Sequence, residues 1–308
     1  MEASITLKKV GKLIGDKTIL AGLSFGVERG SLVAIVGMND SGKSILLKLL
    51  SGYENPNYGQ VFIHGLDMHK RSNETRKIIG YVPHENDLDP WLTLEQNIRF
   101  NANLFSVSEK KIKQRLNDYS TALNIKPYLN EFALKVSNGI QKKAMLIRGL
   151  IHDPGILILD EPTGYMDAES IRLTWDLLKK LKGEKSIIYV SNSLTEIEQA
   201  HDRILVFHEG RIIMDGHLDM LLKSTINYHQ FQIEFEHLED DLYRELKSIP
   251  TVVSPKRIDN IFHFYGRTRT VFFDVIKLAS DKMMIDLNVK KLNLKDLLDS
   301  EFSGKSLE

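Results

Sequence analysis

Apolar and polar positions alternate near the N-terminus. SITLKKV (4–10) and TILAGLSFGVE (18–28) read as antiparallel strands, with Gly15-Asp16 turning the chain between them. Short unbroken apolar runs follow: SLVAIV (31–36), VFIH (61–64) and IIGYV (78–82), the last closed by Pro83. They predict buried strands, and ILLKLL (45–50) predicts an apolar helix start. From Thr93 to about His152 the period becomes helical. Thr93 with Gln96 forms the pattern of a capping box, Ser108 precedes a charged amphipathic helix, and Pro127 opens a short one. Ser137 is placed to cap a helix running to about Ile151. Asp153-Pro154-Gly155 breaks the chain before the apolar strand 156–159. Helix 168–182, strand 186–190, helix 194–200 and strand 203–207 complete an α/β alternation.

The pattern restarts after residue 224. Strand 229–237, helix 239–248, strand 257–265, helix 270–280, strand 283–289 and a last helix 294–302 follow one another. This β-α-β-α-β order predicts a small ferredoxin-like α+β domain over 225–308, separate from an α/β domain over 1–224.

The 308 residues suit two domains of ordinary size, and 42% hydrophobic with 27% charged residues is the balance of a globular protein. Lys+Arg and Asp+Glu are both 41, so no basic field points to nucleic acid. With no cysteine, neither disulfides nor thiolate metal sites can form. The start MEASITLKK lacks an apolar signal core, and no run approaches the length of a membrane helix. A cytoplasmic protein is expected, touching a membrane only through a partner.

The chemistry begins at Gly37-Met38-Asn39-Asp40-Ser41-Gly42-Lys43-Ser44, which matches G-x-x-x-x-G-K-[S/T] between a predicted strand and a predicted helix. The glycines allow the backbone N–H groups to wrap phosphates, and the helix N-terminus adds a favourable dipole. Lys43 is placed to bridge the β- and γ-phosphates and Ser44 to hold Mg²⁺, so ATP or GTP is the expected ligand. A second feature, ILILDEP (156–162), is an apolar strand ending in two carboxylates. Beside a P-loop, Asp160 is expected to bind Mg²⁺ through water, and Glu161 to orient or deprotonate the attacking water. The remaining histidines, such as His64, His152 and His201, show no metal spacing.

Residues 5 to about 222 resemble the ATP-binding subunit of ABC transporters. ILILDEPTGYMD is similar to that family's Walker B strand, catalytic Glu and D-loop, ending in Asp167. Val136-Ser137-Asn138-Gly139-Ile140 stands in the place of its LSGGQ signature. IGYVPHENDLDPWLTLEQNIRF resembles the Q-loop region of the drug-resistance and nodulation-type (ABC-2) exporters, whose tails are similar to LNLKDLLDSEFSGKSLE. The resemblance implies a P-loop core: a mixed sheet, an antiparallel β subdomain, and a helical subdomain over about 85–152. It also implies ATP and Mg²⁺ as ligands and a head-to-tail dimer, homomeric or heteromeric. In that dimer Ser137, Asn138 and Gly139 reach the nucleotide of the opposite subunit. A separate transmembrane permease is the implied partner, holding the protein at the inner face of the membrane. Trp91 and Leu92 are candidate contacts for it.

Four departures from the family's pattern touch nucleotide. His84 replaces the Q-loop Gln that ligates Mg²⁺, and Asn192 replaces a His at the γ-phosphate. Ile14 stands near the aromatic that stacks on adenine, and Asn138 with Ile140 alters the signature. An amide at Asn192 can donate a hydrogen bond but carries no charge. Two readings result: an ABC-2 exporter ATPase, possessing Glu161 as base, or a degenerate, slowly or non-hydrolysing module paired with a more complete subunit.

Overall fold

The computed structural model describes residues 3–38, 40–192, 196–197, 202–217, 220, 229–266, 269–279 and 282–291. The chain divides into two compact units, 1–215 and 216–308. The boundary expected at 224/225 lies outside the described residues, as does the helix expected at 294–302.

The first unit begins with the expected hairpin, β1 (Ala3–Ile14) and β2 (Lys17–Glu28). Together with β4 (Tyr58–Ile63) and β5 (Leu66–Asp67) it forms an antiparallel sheet ordered β2-β1-β4-β5. The central sheet contains β3 (Leu32–Gly37), β6 (Ile79–Val82), β7 (Ile156–Asp160), β8 (Ser186–Val190), β9 (Arg203–His208) and β10 (Arg211–Gly216), in the order β10-β9-β3-β8-β7-β6. Pairing is parallel from β9 through β6. Each of β7 and β8 is buried along its whole length, which explains why they read as uninterrupted apolar runs rather than alternations. Helix α1 (Lys43–Ser51) joins the two sheets, since Leu46, Leu47, Leu49 and Leu50 share one core with Ile5, Leu20, Phe25, Ile35 and Ile158.

Helix α2 (Ser72–Arg76) precedes β6; its five polar residues carry no apolar period, so the sequence pattern passed over it and over the two-residue β5. The helical segment is as expected: α3 (Leu94–Leu104), α4 (Glu109–Ala122) and α5 (Asn138–Leu150), with short 3₁₀ turns at Lys126–Tyr128 and Ala133–Lys135. The Thr93 capping box is present, with Gln96 N–H donating to Thr93 Oγ1 (3.1 Å) and Thr93 N–H to Gln96 Oε1 (2.8 Å). Helix α6 (Ala168–Leu181) follows β7. Of the helix expected over 194–200 only residues 196–197 are described, and they are helical.

The second unit corrects the sequence expectation by one strand. Its described elements are β11 (His229–Phe235), α7 (Asp240–Lys247), β12 (Val252–Ile258), β13 (Ile261–Gly266), α8 (Arg269–Ala279) and β14 (Met284–Lys291). The stretch expected as one strand, 257–265, is the turn and second arm of a hairpin. Asp259 takes a positive φ of 53°, which an Asp-Asn loop tolerates, while the apolar alternation continues across the turn and hides it. The sheet is antiparallel throughout, ordered β12-β13-β11-β14, and Pro255 falls on its outer strand, where no ladder bond is lost on the free side. Phe231, Ile233, Phe235, Phe262 and Phe264 form its core with Leu242, Leu246 and Val275 from the helices.

Candidate functional site

The loop between β3 and α1 is shaped by backbone that few residues accept. Gly42 has φ 101° and Asp40 φ 62°, and a Cβ added at Gly37 would lie 2.2 Å from the Phe207 carbonyl oxygen. Lys43 is buried at the start of α1, and its ammonium donates to the carbonyls of Gly37 (2.8 Å) and Met38 (2.6 Å). Burial lowers its pKa, opposed by the charges of Glu161, Asp160 and Asp40. Ser44 is exposed on the first helical turn and Met38 on the loop, Ser41 is buried, and Asn39 lies outside the described residues.

Asp160 ends β7 and is buried. Glu161 follows with φ 49°, a strained position for a non-glycine residue. Burial raises the Glu161 pKa; the backbone N–H of Asn192 counters this, Asp160 and Glu196 add to it, and Lys43 counters it. Glu161 Oε1 is buried and meets no hydrogen-bond partner. Below it, the buried Glu196 carboxylate accepts the hydroxyls of Thr163 (2.6 Å) and Ser191 (3.1 Å), tying the segment after Glu161 to the one before Asn192.

These groups share one cleft of about 620 Å³. Ile14, Asp40, Gly42, Lys43, Ser44, His84, Asp160, Glu161 and Asn192 all line it. Lys17, Ile19 and Ile45 line it as well and were not singled out from sequence. Lys17 carries a usable signal, because the β1–β2 register sets it opposite Ile14.

Ser137, Gly139 and Asp167 lie elsewhere. They line a second cleft of about 300 Å³ with Lys143, Tyr165 and Met166. Asn138 is exposed at the start of α5. Ser137 and Asp167 are also helix caps: Ser137 Oγ accepts from Ile140 N–H (3.4 Å) and Asp167 Oδ1 from Ser170 N–H (2.7 Å). At Gly139 an added Cβ would sit 2.9 Å from the Tyr165 carbonyl oxygen, so the close approach of this loop to α5 requires glycine.

A divalent metal at the first cleft is testable by donor type. Mg²⁺ takes oxygen ligands, usually one or two carboxylates with phosphates and water. Ser44 and Asp160 supply such oxygens, the orphaned Glu161 Oε1 stands beside them, and the set fits; His84 brings a nitrogen where the other two bring oxygen. Among the described residues no three His, Asp or Glu cluster to hold a metal without a ligand's help.

Residues 20–164 match the family described as ABC transporter. Nod factor export ATP-binding protein I of Burkholderia orbicola (strain AU 1054) is 30% identical over 232 residues, 75% of this chain and 76% of that protein. A solved ATP-binding subunit of an ABC transporter superposes with a TM-score of 0.68 at 26% identity, covering 71% of this chain and 92% of that one. A dimeric bacterial ABC transporter cassette gives 0.65 at 25% identity, over 70% and 98%.

Proposed function

Because this chain belongs to the ABC transporter ATP-binding family, we propose that it is the ATPase subunit of an ABC-2-type exporter, driving transport through a separate membrane protein. The observation that carries this is the single cleft gathering Lys43, Ser44, Asp160 and Glu161 from a loop, a helix and the end of β7. In this reading Lys43 and the N-terminus of α1 hold the β- and γ-phosphates. Mg²⁺ held by Ser44 and Asp160 would neutralise phosphate charge when bound. Glu161 takes the proton of the attacking water, and its burial favours that basicity.

The placement of Ser137, Gly139 and Asp167 on a different cleft supports a head-to-tail pair, homomeric or heteromeric, in which each signature closes the other subunit's nucleotide. The relative with a dimeric cassette supports the same arrangement. A groove of about 720 Å³ beside the helical segment supports the membrane partner: Tyr53, Phe100 and Leu104 present their apolar surfaces there, flanked by Arg76, Arg148 and Asp87. Trp91, 75% exposed, supports docking on the same segment. No described helix is long and apolar enough to cross a membrane. The second unit is read as a ferredoxin-like accessory domain on its β-α-β-β-α-β order.

Asn192 and His84 in the cleft favour slow turnover, and hence the second reading, a module leaning on a more complete partner. The experiment for the site itself is Lys43→Ala. Losing the charge-assisted phosphate contacts should weaken binding of a fluorescent ATP analogue at least about tenfold. Unchanged affinity would sink the assignment.

A further inference from the structure

Lys142 is on α5, the helix that begins with the signature, and it is 3% exposed. Its ammonium donates to three backbone carbonyls: Pro83 (2.6 Å), His84 (3.1 Å) and Asp160 (2.9 Å). An ammonium has three N–H donors and no acceptor, so this one is fully used. The neighbouring Gln141 ties adjacent segments together, with Nε2 donating to the Ala133 carbonyl (2.6 Å) and Oε1 accepting from the side-chain amide Nδ2 of Asn86 (2.9 Å).

His84 and Asp160 both line the nucleotide cleft but come from different segments, His84 from the loop after β6 and Asp160 from the end of β7. The side chain that fixes both backbones comes from neither. We propose that Lys142 is a positioning residue for ATP hydrolysis: it sets the backbone of His84 and Asp160 from the signature helix, so that engagement of Ser137 and Gly139 is transmitted to the cleft of the same chain. This rests on the ATPase reading above. Lys142 does not line the nucleotide cleft, so its removal should act on the step that needs alignment and leave ground-state binding with the P-loop.

The test compares the full chain with Lys142→Met, which keeps the apolar stem, and Lys142→Arg, which keeps the charge and the donors. Steady-state hydrolysis of MgATP gives kcat and KM, and titration with a fluorescent ATP analogue gives affinity. We expect kcat of the Met variant to fall at least about tenfold, with KM and affinity within about threefold, and the Arg variant to recover most of the rate. Unchanged kcat in the Met variant overturns the proposal. So does a loss shared equally by affinity, or one the Arg variant does not recover, either of which marks a merely structural lysine. Failure of the underlying reading looks different: the wild-type chain itself would not hydrolyse MgATP, whether or not it binds the analogue.

Discussion

Asn192 reaches the Glu161 carboxylate through its backbone N–H, a contact that does not depend on which side chain stands at this position. The side chain at this position is therefore free to be changed without releasing the proposed base. Asn192→His should raise kcat, by up to about a hundredfold if the imidazole restores a donor that acts mainly in the transition state, while ATP affinity stays put. A steady-state assay with Glu161→Gln as background control decides it; robust wild-type turnover that histidine fails to improve would remove the support for a degenerate subunit. His152 offers a second prediction, on stability. Its ring stacks on Phe105 at 3.9 Å and its Nε2 meets the Ile79 carbonyl at 3.1 Å, while Nδ1 is buried without a partner. Burial lowers its pKa from 6.5 to about 4. The unfolded chain takes up this proton near pH 6.5 and the folded chain only near 4, so stability is intact above that window and is lost as pH falls through it. Between pH 7 and pH 5 the loss should be on the order of 2 kcal/mol. Urea unfolding followed by Trp175 and Trp91 fluorescence should show it, and His152→Gln should flatten the difference.

At the level of elements, helix ends carry much of the site. Thr93 and Gln96 satisfy each other's backbone at the start of α3, and Thr93→Ala should cost about 1 kcal/mol in the same urea experiment. A change below a few tenths would mean that tertiary packing alone fixes that end. Ser137 and Asp167 each cap a helix while facing the second cleft, so a substitution there confounds a local helix effect with any effect on a bound ligand. The Thr93 and Ser137 caps were legible in the sequence because a cap is a local event of three or four residues, whereas Asp167 was read only as the end of a loop. The P-loop and the Asp160-Glu161 strand end were legible for the same reason, since each is written in consecutive residues. What connects distant segments was not. The turn at Asp259-Asn260 hid inside a continuing alternation, and α2 had no apolar face to announce it. Lys142 looked like one more cation in Gln141-Lys142-Lys143. Only the helical period gives it away, since it falls on the same face as Met145, Leu146 and Gly149, a face that is buried.

For the molecule as a whole, the proposed pairing makes a direct prediction. Glu161→Gln keeps the shape of the side chain and removes its basicity, so MgATP should stay trapped between two subunits and shift the chain from monomer to dimer in gel filtration. If nucleotide never promotes association, the paired arrangement is wrong for this chain alone and a different subunit completes it. The physical separation of the Lys43 cleft from the Gly139 cleft also has a consequence in heredity. Under head-to-tail pairing, a chain damaged at Gly139 keeps its own P-loop and spoils only its neighbour's reaction, so paired with an intact chain it should leave one working site of the two. Two differently broken chains, one altered at Lys43 and the other at Gly139, would assemble one site that contains both lesions and one that contains neither. Mixed together, two inactive proteins should then regain turnover that neither has alone, a complementation between alleles of a single gene.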